Sequence, residues 1–86
     1  MNIEAEIRSR LETLAPASLN LEDESAQHAG HAGASSGGHF RLTIVSGRFE
    51  GLNAVDRHRL VYQTLGDLMH KGIHALAISA YTPDEF

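Results

Sequence analysis

The sequence predicts an α+β domain of order α-β-β-α-β, with a three-stranded mixed sheet and helices on one face. Three observations carry this. Apolar residues recur at helical spacing near the start of the chain and again over 54–70. Three short stretches, 18–24, 39–46 and 73–80, carry period-two alternation or β-rich composition. The chain has 86 residues, 42% of them hydrophobic, which is enough for one core and too little for two, so residues 1–86 are expected to form a single domain.

The elements follow in order. Ile3, Ile7, Leu11 and Leu14 form one apolar stripe, so 2–14 reads as a helix that Pro16 ends. In 18–24, Leu19 and Leu21 share one face and Asn20 and Glu22 the other. From Ser25 to Gly38 the chain is Ser, Gly, Ala, Gln and His, with no large apolar residue. That composition predicts a flexible loop, with 26–37 the most mobile interior segment, because nothing there offsets the entropy of ordering. Its length in so small a domain points to a functional loop, and it contains the tandem repeat His28-Ala29-Gly30, His31-Ala32-Gly33.

Residues 39–46 form the clearest strand, with Phe40, Leu42 and Ile44 on one face. Phe49 and Leu52 lie in a short connector. The main helix is expected over 54–70, with Asn53 as N-cap and Asp56 placed like the acid of a capping box. Val55, His58, Val61, Tyr62, Leu65, Leu68 and Met69 fall on one face at 100° per residue. His70 and Lys71 suit the C-terminal dipole, and Gly72 suits the position after the helix. Residues 73–80 form the last strand, closed by Thr82-Pro83. The first two strands should pair as an antiparallel hairpin. The second and third are joined by a helix and should be parallel, with a right-handed crossover.

Composition narrows the function. A formal net charge of −4 argues against strong non-specific binding to nucleic acid. With no cysteine there is no disulfide, thiol nucleophile or thiolate ligand. No apolar run approaches a membrane span, and the N-terminus lacks the basic and apolar regions of a signal peptide, so a cytoplasmic location is expected. Ser, His and Asp are present without a nucleophile motif, so no enzyme is expected. Six histidines are the oddity, where roughly two would be average. His58 lies on the apolar face of the main helix and reads as a half-buried structural residue. His39 begins a strand after Gly37-Gly38 and reads as the anchor of the loop's end. Arg57 and Arg59, with Arg41 and Arg48, are candidates for a basic patch, against the plainer reading of solvated charges. Gly30-His31-Ala32-Gly33 matches the GxxG pattern of KH domains formally, but it falls between two strands instead of two helices.

Several separated motifs then occur in a specific order: Asp23-Glu24-Ser25, Gly38-His39-Phe40 with Val45-Ser46, Phe49-x-Gly51, Arg57-His58-Arg59-x-Val61-Tyr62, Ile73-His74-Ala75-Leu76, and Thr82-Pro83-x-Glu85. Together they resemble the BolA family over roughly residues 3–86. The resemblance implies a fold related to type II KH domains. It implies a monothiol glutaredoxin as partner, with a bridging [2Fe–2S] cluster shared between the two proteins. It also implies the family's other description, as DNA-binding transcriptional regulators of stress and cell-shape genes. The family's cluster ligand in the Ile-His-Ala-Leu motif corresponds to His74. The second ligand, a loop His or Cys, corresponds to His28, with His31 the alternative. A chain without thiolates cannot hold a conventional cluster alone, but one or two imidazoles can complete an iron shell whose sulfur ligands a partner supplies. DNA binding by the isolated chain is expected to be weak and salt-dependent. The sequence leaves open whether the chain also pairs with itself.

Overall fold

The computed structural model describes residues 2–24 and 38–86. The first helix, α1, runs Ile3–Leu11 and tightens into a 3₁₀ turn at Glu12–Leu14. Asn2 caps it, its side-chain oxygen accepting from the Ala5 N–H at 3.2 Å. The strands are β1, Ser18–Asp23, and β2, Gly38–Val45. Gly38, expected at the end of the loop, is the first residue of β2; the expected loop over 25–37 and its mobility lie outside the described residues.

The main helix is not continuous. α2 spans Ala54–Leu65, and a separate short turn of helix, α3, spans Leu68–Lys71. The break falls at Gly66, whose φ of +57° leaves the helical region. The Arg10 guanidinium holds the break: its Nη1 donates to the Leu65 carbonyl at 2.8 Å and to Asp67 Oδ1 at 2.6 Å. The helix end thus finds a side-chain donor for a carbonyl that the ladder no longer serves. The contact holds the Asp67 carboxyl below the usual range, chiefly through the Arg10 hydrogen bond and then through Lys71.

The face that α2 buries is shifted from the expected one and overlaps it only in part. Val61 and Leu65 are buried and Leu60 packs on the core, but Val55 and Tyr62 are exposed, at 59% and 40%. The helix is rotated towards the side bearing Leu60, which leaves Val55 and Tyr62 at the outer edge of the contact. His58 lies half-buried on the flank of that contact. The Asn53 cap is as expected, accepting from the Asp56 N–H at 2.9 Å.

The last strand, β3, runs Ile73–Tyr81, followed by a 3₁₀ turn at Pro83–Glu85. The sheet order is β1-β2-β3, antiparallel between β1 and β2 and parallel between β2 and β3. Register puts Leu21 opposite Leu42 opposite Ile78, and Leu19 opposite Ile44 opposite Ala80. These residues face α1 and α2, and with Ile7, Leu11, Phe49, Val61 and Leu65 they make the core. The helices therefore cover one face, as the alternation requires. The opposite face carries Ser18, Asn20, Glu22, Arg41, Ala75, Ala77 and Ser79, all exposed. Val45 is buried on that side, next to Tyr81 in register, and Phe86 folds back to lie 5.5 Å from the Tyr81 ring. Among the described residues, no helix is long and apolar enough to cross a membrane.

Candidate functional site

The site begins with two glycines. The Gly38 N–H donates to the Gly72 carbonyl at 3.0 Å, which ties the start of β2 to the turn before β3. Both positions are crowded. A Cβ on Gly38 would land on the Phe40 ring and 3.2 Å from the Gly72 carbonyl; one on Gly72 would meet Ile3 Cδ1 at 2.6 Å. At Gly38 a side chain would crowd both the core ring and the facing backbone, whereas at Gly72 it would meet only the Ile3 side chain.

The next residues of both strands are then fixed in space. Gly38 lies opposite Ile73, but His39 lies opposite Ala75. His74 is therefore the extra residue of a β-bulge, and a bulge re-aims its side chain. The consequence is a pair: the His39 and His74 rings stand 5.0 Å apart, tilted by 43°. His74 is exposed and His39 half-buried, at the end of the sheet that leads to the 25–37 segment. His39 was absent from the ligand candidates drawn from the sequence. Alternation put it on the solvent side of its strand, but nothing local shows that a parallel neighbour carries a bulged histidine beside it. His28 and His31 lie outside the described residues. Among the described residues, no group of three or more His, Cys, Asp or Glu side chains makes a complete cation site.

The four arginines are not gathered on one face. Arg41 lies on the open sheet face, with its Nε 3.1 Å from Glu24 Oε2. Arg59 sits on the outer side of α2, 3.6 Å from Asp56. Arg48 is exposed in the 3₁₀ turn Gly47–Phe49. Arg57 is the most enclosed, its side chain 15% exposed. It donates to the Leu52 carbonyl at 2.9 Å, to the Ala80 carbonyl at 3.1 Å, and to both Glu85 carboxylate oxygens at 2.6 and 3.1 Å. Glu85 in turn accepts from the Thr82 N–H at 2.8 Å, completing a capping box. The Arg57 hydrogen bond, followed by the Thr82 backbone, pulls the Glu85 carboxyl down to about 2, and Glu85 raises Arg57. Two of the sequence motifs, Arg-His-Arg and Thr-Pro-x-Glu, are thus two halves of one structural clasp between α2 and the end of β3.

The comparisons with known proteins agree with this architecture. A family model described as BolA-like protein matches residues 11–85. BolA-like protein 1 of Mus musculus is 46% identical over 85 residues, covering 98% of this chain and 61% of that protein. The chain therefore spans about three-fifths of the length of this relative. The DNA-binding transcriptional regulator BolA of Escherichia coli K12 is 39% identical over 85 residues, covering 93% of this chain and 79% of that one. The structure of BolA1 from Arabidopsis thaliana superposes with a TM-score of 0.84 at 42% identity, covering 100% of this chain and 98% of that one. The motifs, the α-β-β-α-β order with its mixed sheet, and these matches lead to one conclusion: the chain belongs to the BolA-like family.

Proposed function

We propose that this protein is an iron–sulfur adaptor: it binds a monothiol glutaredoxin and shares a [2Fe–2S] cluster with it through histidine. The observation that supports this most is the exposed, bulge-presented His74 at one end of the sheet of a chain without cysteine. The donor set fits half of such a site. Imidazole ligates iron, sulfur ligands must come from the partner, and a mixed His/Cys shell raises the cluster's reduction potential above that of an all-thiolate one. His74 is the first ligand in this reading, and His28 or His31 the second. The chain's own work is to present His74 rigidly. The Gly38–Gly72 approach and the bulge fix the backbone on which it stands.

The test is to mix the purified chain with cluster-loaded monothiol glutaredoxin and follow visible absorption and circular dichroism. His74→Ala should change the mixed spectrum while far-ultraviolet circular dichroism stays native. An unchanged spectrum and cluster lifetime with His74→Ala would leave His74 a structural residue and refute the assignment.

A second reading, DNA binding in transcriptional control, is favoured by the name of the Escherichia coli relative. Here the net charge of −4 and the carboxylate partners of Arg41, Arg57 and Arg59 favour only weak binding. Tight, sequence-selective binding at physiological salt would reverse this ranking.

A further inference from the structure

We propose that His39 and His74 together form a two-imidazole site for a borderline divalent transition-metal cation, in this chain alone and without a partner. The argument is geometric. A Zn²⁺–imidazole bond is about 2.0–2.1 Å, and the ligating nitrogen lies roughly 1.2 Å from its ring centroid, which places the metal about 3.2 Å from each centroid. Two imidazoles at the tetrahedral angle then have centroids about 5.2 Å apart. The His39 and His74 rings stand at 5.0 Å. Their planes are tilted by 43°, so the two rings are not stacked flat on each other.

The supports are rigid. His39 is in register opposite Ala75 within the parallel ladder, and the Gly38–Gly72 hydrogen bond fixes the strand starts one and two residues before the histidines. Holding two donors in place on strands is what a chelating site needs. Imidazole selects Zn²⁺, Ni²⁺ and Cu²⁺ over Mg²⁺ and Ca²⁺, with Cu²⁺ bound most tightly of these. His74 is exposed, so the site is open to solvent, and water fills the remaining positions. The site overlaps the proposed cluster ligand. It follows, if the reading of the preceding subsection holds, that a bound cation blocks cluster sharing at His74; the cation site itself does not depend on that reading.

The experiment is a Zn²⁺ titration of the metal-free chain, followed by calorimetry and by imidazole NMR signals. The expected result is one site at which the His39 and His74 rings shift together. His39→Ala, His39→Gln and His74→Ala should each weaken binding by about tenfold or more, because a chelating pair becomes a single ligand. His58→Ala, His70→Ala and the double change His28→Ala/His31→Ala should leave it unaltered. Far-ultraviolet circular dichroism of each variant confirms that the fold is kept, and His39→Gln retains a polar side chain if alanine perturbs the strand. Wild-type affinity in both His39 variants, or loss only in the His28/His31 double variant, overturns the proposal. These outcomes are independent of the glutaredoxin experiment: loss of the zinc site with a His74-dependent cluster spectrum would remove only this proposal, and the converse only the adaptor reading.

Discussion

Gly38→Ala tests the link between packing and site. The added Cβ would overlap the Phe40 ring and press the Gly72 carbonyl at 3.2 Å. Phe40 is 3% exposed and belongs to the core, so the ring has no free space to swing into. Overpacking of this kind costs about 1–3 kcal/mol. Against it stands the lower entropy of the unfolded chain when glycine is replaced, about 0.4–1 kcal/mol. The steric term wins, leaving a net destabilisation of about 1–2 kcal/mol. With a urea slope of about 1 kcal/mol per molar for so small a domain, the unfolding midpoint should fall by about 1 M or more. Gly47→Ala is the control: nothing lies within 4 Å of its Cβ and its φ is not positive, so it should be neutral or slightly stabilising. The same Gly38 variant should weaken Zn²⁺ binding, since His39 is the next residue. An unchanged or raised midpoint for Gly38→Ala, at unchanged slope, would refute the account of why these backbones meet.

Other outcomes follow from the same structure. Phe49 is fully buried, so Phe49→Ala should destabilise by about 3–5 kcal/mol, read from denaturant unfolding. Glu85 is held down to about 2 in the folded chain against 4.5 for an ordinary glutamate carboxyl, so its contribution is complete above about pH 4.5 and is lost as pH falls through about 2. Glu85→Gln should therefore lower the melting temperature near pH 7 and flatten its acid dependence in that window; an acid limb identical to wild type would show that the clasp is not responsible. Arg57→Gln should lower the melting temperature as well, while Arg48→Gln, on an exposed turn, should leave it nearly unchanged. DNA affinity of the isolated chain should be weak and fall with salt, as measured by anisotropy from low to physiological ionic strength.

Much of this protein is legible in its sequence because local rules and tertiary needs agree. Alternation in 39–46 fixes which side of β2 faces the core, and Phe40, Leu42 and Ile44 are buried as it requires. Asn53 caps its helix because a short polar side chain before an apolar-periodic run has few better uses. The helix from 54 onwards was readable in existence but not in extent, since Gly66 is a weak breaker until Arg10, far off in sequence, stabilises the break. The buried face of α2 is legible only in part for a related reason: Val61 and Leu65 face the core as the periodicity requires, but only the neighbours decide that Leu60 packs beside them while Val55 and Tyr62 stay outside.

The sequence by itself determined the element order, the mixed sheet, the covered and open faces, and the presence of a histidine at the start of the last strand. These are consequences of periodicity and of residue chemistry within a few positions. Only the tertiary structure decided that Arg57 closes a clasp with Glu85, and that His39 stands beside His74. The clasp depends on how α2 packs over the end of β3. The histidine pair depends on the register of parallel β2 and β3, which is set by the packing of the crossover and by a bulge at one residue, neither of which leaves a mark on the spacing of side chains along either strand.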